Sequence, residues 1–273
     1  MTNTPAGDNA DKSTSAAPSR DTYTPVPLRS FVAPPDALAG KRILVTGAGD
    51  GIGRAVAVES GRLGARVVLL GRTQAKLEET ATRMEAAGAA AAPVICPFNL
   101  LTAGLEQYDT LRSELERTGD RLDGLVNNAS VLGRLAPLDH YDPALWMEVV
   151  HVNLNAQFML TRTCLPLLRK ADDAAVIFVS STVGREGRAY WGAYTASKFG
   201  VEGLMQTLAD EVADNTGIRV YSLNPGKTRT AMRRKAYPAE DPRSLPTPEE
   251  VAPAFSYLLA TRARHLHGQA LNA

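Results

Sequence analysis

A short apolar run, Ile43-Leu44-Val45, leads directly into Thr46-Gly47-Ala48-Gly49-Asp50-Gly51-Ile52-Gly53 and then into a helical stretch beginning near Arg54. A strand, a glycine-rich turn and a helix in that order leave a chain few options. The glycines let the backbone turn tightly and approach a pyrophosphate with no Cβ in the way. The helix start offers free N–H groups and the positive end of its dipole to the phosphates. The spacing is Gly-x-x-x-Gly-x-Gly rather than the plain Gly-x-Gly-x-x-Gly, but strand before and helix after is the context a dinucleotide-binding turn needs. A glycine-rich turn alone would serve equally as a tight connection. Gly47, Gly49, Asp50, Gly51, Ile52 and Gly53 are the first candidate cofactor contacts.

From Arg42 onward, short β-branched runs alternate with amphipathic helical stretches. Strands are predicted at Arg42–Thr46, Arg66–Leu70, Val94–Phe98, Gly124–Asn127, Val176–Ser180 and Ile218–Leu223, with helical patterns between them, such as Thr73–Ala87 and Pro143–Arg169. Strands separated by helices imply parallel βαβ units. The predicted fold class is α/β: one domain over 41–273, a doubly wound, Rossmann-type parallel sheet of about seven strands with helices on both faces. Pro166, inside the long helical pattern, predicts a kink or an early end. Before this domain, residues 1–20 read as a disordered tail rich in Thr, Ser, Ala, Asp and Pro, with neither the basic start nor the apolar core of a secretory signal. Residues 21–40 read as an extended lead-in on the domain surface, alternating Pro with Val26, Leu28, Phe31, Val32 and Leu38.

Composition excludes several functions. The 273-residue chain has a net charge of +1, no long basic run for nucleic acid and no apolar run long enough to span a membrane. Cys96 and Cys164 fit no metal or redox spacing and read as reduced thiols of a cytoplasmic protein. No metal site is expected. His265 and His267 lack a third ligand nearby and read as a solvent-facing turn.

Two further groups of residues carry chemistry. In Tyr194-Thr195-Ala196-Ser197-Lys198, the first and last residues lie one helical turn apart and point the same way. A free phenol, with a pKa of about 10, is a poor base at neutral pH, and a nearby desolvated ammonium stabilises its phenolate. The same pair also arises by chance on solvated helix faces. Upstream, Val176-Ile177-Phe178-Val179 runs into Ser180-Ser181, placing hydroxyls at the C-terminal end of a buried strand, where such sheets bind ligands. Serines there also simply cap loops.

With Asn127-Asn128-Ala129, Asn153 and Asn224-Pro225-Gly226, these motifs resemble the short-chain dehydrogenase/reductase superfamily in order and spacing, over essentially all of 41–273. The finer pattern, including Gly49-Asp50-Gly51, Leu70-Gly71-Arg72, Val183-Gly184-Arg185 and Trp191-Gly192-Ala193-Tyr194, looks YciK-like. The resemblance implies an NAD(P)-dependent enzyme of carbonyl or 3-oxoacyl reductase type. Tyr194 would be the general acid in reduction and the base in oxidation. Lys198 would lower the tyrosine's pKa and hold the nicotinamide ribose, Ser181 would hydrogen-bond the substrate carbonyl, and Asn153 would position a water in a proton relay behind Lys198. Asn127 and Ala129 would line the cofactor cleft. Pro225, Gly226, Thr228 and Thr230 would border the nicotinamide, Thr230 also lying near phosphate. A homodimer or homotetramer is implied, built on the helix around Trp146–Leu168 and the helix carrying Tyr194 and Lys198.

Three departures stand out. The usual Asn-Asn-Ala-Gly ends in Ser130 here. The usual adenine-contacting Asp is Asn99, followed by Leu100, and an amide still accepts from the adenine amino group. The usual Asp-Gly-Gly ending is replaced by Gly268-Gln269-Ala270-Leu271-Asn272-Ala273. Cofactor choice is read at the end of the second strand, where an acid would bind the adenosine 2′-hydroxyl and repel a 2′-phosphate. Here Gly71 is followed by Arg72, whose guanidinium favours NADP(H) over NAD(H). Asp50 opposes that preference, and a solvent-facing or helix-capping Arg72 would not contribute to it. A cofactor-binding interaction module with little turnover, and an epimerase or dehydratase, are the competing functions. The first has no use for Asn153, Ser181, Tyr194 and Lys198 together, and the second normally carries a sizeable C-terminal domain. Arg185 and Arg188 could attract an anionic or acyl-carrier substrate, or be solvated loop charges or part of a subunit ion pair. Arg229–Lys235 reads as a mobile lid, and Asp123 as support for a strand entry. The substrate is a small carbonyl, alcohol or acyl compound that no residue here identifies.

Overall fold

The structure is a computed structural model that describes residues 28–260 and 263–273; the predicted tail and the start of the lead-in lie outside the described residues. In chain order its main elements are β1 (Arg42–Thr46), α1 (Gly51–Arg62), β2 (Arg66–Gly71), α2 (Gln74–Ala86), β3 (Val94–Pro97), α3 (Leu105–Thr118), β4 (Gly124–Asn127), α4 (Pro143–Val150), α5 (Ala156–Leu168), β5 (Ala174–Val179), α6 (Gly192–Val212), β6 (Ile218–Asn224), α7 (Ala231–Ala236), α8 (Pro248–Ala260) and β7 (Ala270–Asn272). The strands form one parallel sheet in the order β3-β2-β1-β4-β5-β6-β7. The order reverses beside β1, and a doubly wound sheet opens its ligand crevice at such a point.

Alternate strand residues feed two cores. Ile43, Val45, Ile177 and Leu223 pack under α1 and α8, while Leu44, Val176, Phe178 and Val220 pack under α3, α5 and α6. Burial on both faces explains why the central strands read as unbroken apolar runs rather than alternating ones. β7 was not among the predicted strands. It has three residues, too few to show a pattern, and pairs with β6 through Leu223 and Leu271.

The long helical pattern from Pro143 divides where no proline stands. A π-helical turn, His151–Asn155, separates α4 from α5, whereas Pro166 is accommodated two residues before the end of α5. The described part of the lead-in is folded against the domain rather than extended over it. Leu28 and Leu38 are buried, Leu38 donates to the Leu63 carbonyl, and Phe31 meets Tyr257 of α8 edge-on at 5.2 Å. Asp123 supports the strand entry, accepting from the Arg42 backbone N–H at 2.8 Å and from Arg121 at 2.9 Å. Fully buried Arg219 is balanced by Asp173 at 2.8 Å and also donates to the Leu258 carbonyl.

Candidate functional site

The C-terminal ends of the strands open into a cleft of about 610 Å³, with the glycine turn at one end and Tyr194, Lys198 and Ser181 at the other. Gly47 adopts φ +63°, and a Cβ there would stand 2.9 Å from the Asn128 amide nitrogen. Gly49, Asp50, Gly51 and Ile52 line the cleft. Gly53 does not; a Cβ on it would overlap the Gly47 carbonyl, so its role is to let α1 close onto the turn.

The turn is braced by Thr46 at the end of β1 and by Asn128 just after β4. The Thr46 hydroxyl accepts from the backbone N–H groups of Asn128 (2.9 Å) and Ala129 (2.8 Å), and Asn128 Nδ2 donates to the Thr46 carbonyl at 2.9 Å. This corrects the expectation for Asn127. Its side chain is fully buried behind the cleft wall and donates to Thr161 Oγ1 at 3.0 Å, while Asn128 and Ala129 face the cleft.

At the adenosine end, Gly71, Arg72, Asn99 and Leu100 line the cleft. Arg72 is exposed. Asp50 is not an isolated negative charge. It caps α1 by accepting from Gly51 N and pairs with Lys76 at 2.9 Å, a hydrogen bond that holds its carboxyl below the usual range. Sequence reasoning passed over Lys76, whose place opposite Asp50 is set by the packing of α2 on the glycine turn. Below the cleft, Arg29 of the lead-in donates to the Pro225 carbonyl at 2.6 Å. Pro225, Gly226, Thr228 and Thr230 line this side, and Thr230 caps α7 by accepting from Arg233 N at 3.1 Å.

Tyr194 and Lys198 project from α6, both almost fully buried. Lys198 Nζ donates to the Val179 carbonyl at 2.7 Å and lies 5.6 Å from the Tyr194 ring centre. Burial pushes the phenol up to about 12, opposed by the Ser130 hydroxyl rather than by Lys198. Burial pulls Lys198 down to about 8, opposed by Glu202 one turn further along α6. The Lys198 ammonium is turned to a backbone carbonyl here rather than to the phenolic oxygen.

The side chain of Asn153 is held by protein groups. It sits in the π-helical turn, fully buried, and its amide is consumed by protein: Oδ1 accepts from Val131 N (2.8 Å), while Nδ2 donates to Val131 O (2.9 Å) and Ser197 Oγ (3.1 Å). It clamps the loop after β4 and does not line the cleft. Arg185 is committed elsewhere too, to Glu202 at 3.1 Å and to the β7 residues Leu271 and Asn272. Glu202 also accepts from Ser180 and Ser222, each at 2.5 Å, so Arg185 closes a buried network rather than facing a substrate. Arg188 donates to the Tyr237 hydroxyl at 2.8 Å. In the expected lid, Arg233 pairs with Glu240 at 2.6 Å and stacks on Tyr237, giving the segment fixed anchors. His267 is no solvent-facing residue: Nδ1 accepts from Val220 N at 3.1 Å, which leaves Nε2 to donate to the Ala209 carbonyl at 2.9 Å. Among the described residues no cluster of His, Cys, Asp and Glu could hold a metal ion, and no helix is long and apolar enough to cross a membrane.

Known proteins share this arrangement. A family model described as short chain dehydrogenase matches residues 41–241. The uncharacterized oxidoreductase YciK of Escherichia coli K12 is 45% identical over 87% of this chain and 93% of its own. A solved short-chain dehydrogenase structure from Pseudomonas syringae is 50% identical, covering 89% of this chain and 98% of that one with a TM-score of 0.86. Another, from Shigella flexneri 2a and complexed with NADP, is 44% identical with a TM-score of 0.85, covering 88% of this chain and 99% of that one. The chain therefore belongs to the short-chain dehydrogenase/reductase family, among its YciK-like members.

Proposed function

We propose that this oxidoreductase is NADP(H)-dependent and interconverts a carbonyl and an alcohol, with Tyr194 as general acid in reduction and general base in oxidation. The observation that carries the reading is one continuous cleft, with a phosphate-accommodating turn and an exposed arginine at one end and three hydroxyl and amine groups at the other. The residues fit the cofactor. Gly47 takes a positive φ that packs the turn tightly against Asn128 and Ala129, the turn and the first residues of α1 line the cleft, where helix-start N–H groups suit a phosphate, and Arg72 supplies a cation for a 2′-phosphate. Asp50 is neutralised by Lys76 and so opposes that phosphate little. The Shigella flexneri relative with NADP supports the same choice.

When bound, NADPH supplies the hydride that converts the carbonyl carbon to an alcohol carbon, leaving NADP⁺. The protein's part is to hold the oxygen and deliver a proton. Ser181 and Tyr194 offer hydroxyls to the carbonyl oxygen, where negative charge develops. Tyr194 gives its proton to that oxygen, and oxidation reverses the step. Lys198, released from the Val179 carbonyl, is placed to hold the nicotinamide ribose.

The test is NADPH consumption, followed optically, with ketones, 3-oxoacyl thioesters and quinones as separate panels. We expect turnover in at least one. Tight NADPH binding with no turnover in any panel would remove the carbonyl from the assignment.

The enzyme works as a homodimer or homotetramer in this reading. Met147 on α4, Phe158 on α5 and Phe199 on α6 are 68%, 47% and 45% exposed, large apolar side chains of the kind a second copy would cover. Light scattering at micromolar concentration should give a multiple of the 29.2 kDa chain mass, and a clean monomer would refute it. Burial pushes Cys164 up to about 12 and Cys96 up to about 11, so both thiols stay protonated, which suits a reducing cytoplasmic setting.

A further inference from the structure

Ser130 stands where the family usually has glycine, and its surroundings give the hydroxyl a task. The backbone on either side is fixed. Ala129 N donates to Thr46 Oγ1 at 2.8 Å, and Ala129 O accepts from Gln157 Nε2 at 3.2 Å. Val131 N and O are both held by Asn153. With its neighbours clamped, Ser130 keeps only the rotation of its own side chain. Its Oγ is buried and has no hydrogen-bond partner of good geometry, although it lines the same cleft as Tyr194. An unpaired buried hydroxyl is costly unless something completes it.

We propose that Ser130 is a positioning residue for Tyr194, its hydroxyl donating to the phenolic oxygen and stabilising the phenolate left when the tyrosine gives up its proton. The proposal rests on the assignment of Tyr194 as acid and base. In the structure the two residues line the same cleft, and no hydrogen bond joins their hydroxyls. By geometry Ser130 Oγ is unpaired, yet it is the side chain that counters the effect of burial on the phenol. A small rotation of an otherwise fixed side chain reconciles the two. When the phenol is neutral, Ser130 has a weak acceptor; when it is ionised, the contact becomes a charge-assisted hydrogen bond.

The other groups around Tyr194 leave this role open. The tyrosine shares a small apolar cluster with Leu132 and Leu135 of the loop after β4, Val183 of the turn after β5, Trp191, and Met232 and Ala236 of α7. Of the charged residues on those elements, Arg185 pairs with Glu202, Arg188 with the Tyr237 hydroxyl and Arg233 with Glu240, while Arg134, Glu186, Arg234 and Lys235 are exposed. Lys198, on the tyrosine's own helix, is held by the Val179 carbonyl, and Glu148 reaches the cleft from α4.

The test is a titration. In protein carrying 3-fluorotyrosine, which brings the phenol into a measurable range, the Tyr194 fluorine resonance is identified by its loss in Tyr194→Phe and followed against pH. Ser130→Ala should make Tyr194 about tenfold weaker as an acid, the worth of one charged hydrogen bond. Ser130→Gly should match it, and Ser130→Thr, which keeps the hydroxyl, should restore the wild-type midpoint. An unchanged midpoint in both Ser130→Ala and Ser130→Gly, with melting temperatures preserved, overturns the proposal. A moved midpoint alongside full turnover in Tyr194→Phe would uphold the contact while removing the tyrosine from the reaction, so the two readings fail separately.

Discussion

Tyr194→Phe should lower turnover by about 10² to 10⁴, the usual worth of positioned acid–base catalysis. The variant keeps the ring that meets Trp191 edge-on at 5.8 Å and fills the space beside Leu132 and Val183. It removes only the oxygen. Melting temperature and NADPH affinity should therefore stay near wild type while the chemical step collapses. The phenol is nearly enclosed, so water is poorly placed to substitute as proton donor. Near-wild-type turnover on the true substrate would show that another group in the cleft supplies the proton.

Arg72→Ala should weaken NADPH binding by about one to two orders of magnitude and leave NADH binding almost unchanged. A charge-assisted hydrogen bond to phosphate contributes roughly 1.5 to 3 kcal/mol, and NADH has no 2′-phosphate to lose it. No salt bridge within the protein competes for this guanidinium among the described residues, unlike Arg54, which is held by Glu79 at 2.9 Å. Lys76 sits close by but is already paired with Asp50, so it should compensate only in part. Asp50→Asn would free Lys76, and NADPH affinity should then rise slightly. Fluorescence titration of both cofactors against wild type and Arg72→Ala decides the matter. Equal NADPH and NADH affinities in wild type would remove the 2′-phosphate from the assignment.

The central strands were legible because burial on both faces writes itself as an apolar run. β1 and β4 have their predicted limits, and β5 begins two residues earlier than predicted because Ala174 and Ala175 are buried yet carry little β signal. The glycine turn and the Tyr194–Lys198 pair were legible because backbone conformation and helical spacing are local properties. What could not be read was direction and partnership. Asn127 and Asn128 are adjacent, but one ends a strand facing α5 and the other turns toward Thr46. The Asn153 amide was expected to hold a water behind Lys198, yet its partner, Val131, is twenty-two positions earlier. Arg185 looked free because Glu202 and β7 meet it only after the sheet has closed. Each misreading concerns a polar side chain whose partner is distant in sequence, where no periodicity records the contact.

The short segment before β1 has a practical consequence. The family's recognisable part begins at residue 41, and every motif that identifies the protein lies beyond it. Yet Leu28 plugs the core beneath α8, and Arg29 reaches across to grip the Pro225 carbonyl on the floor of the cleft. A protein trimmed to the family's boundaries would pass every test of pedigree and still be missing part of the masonry under its own cofactor loop.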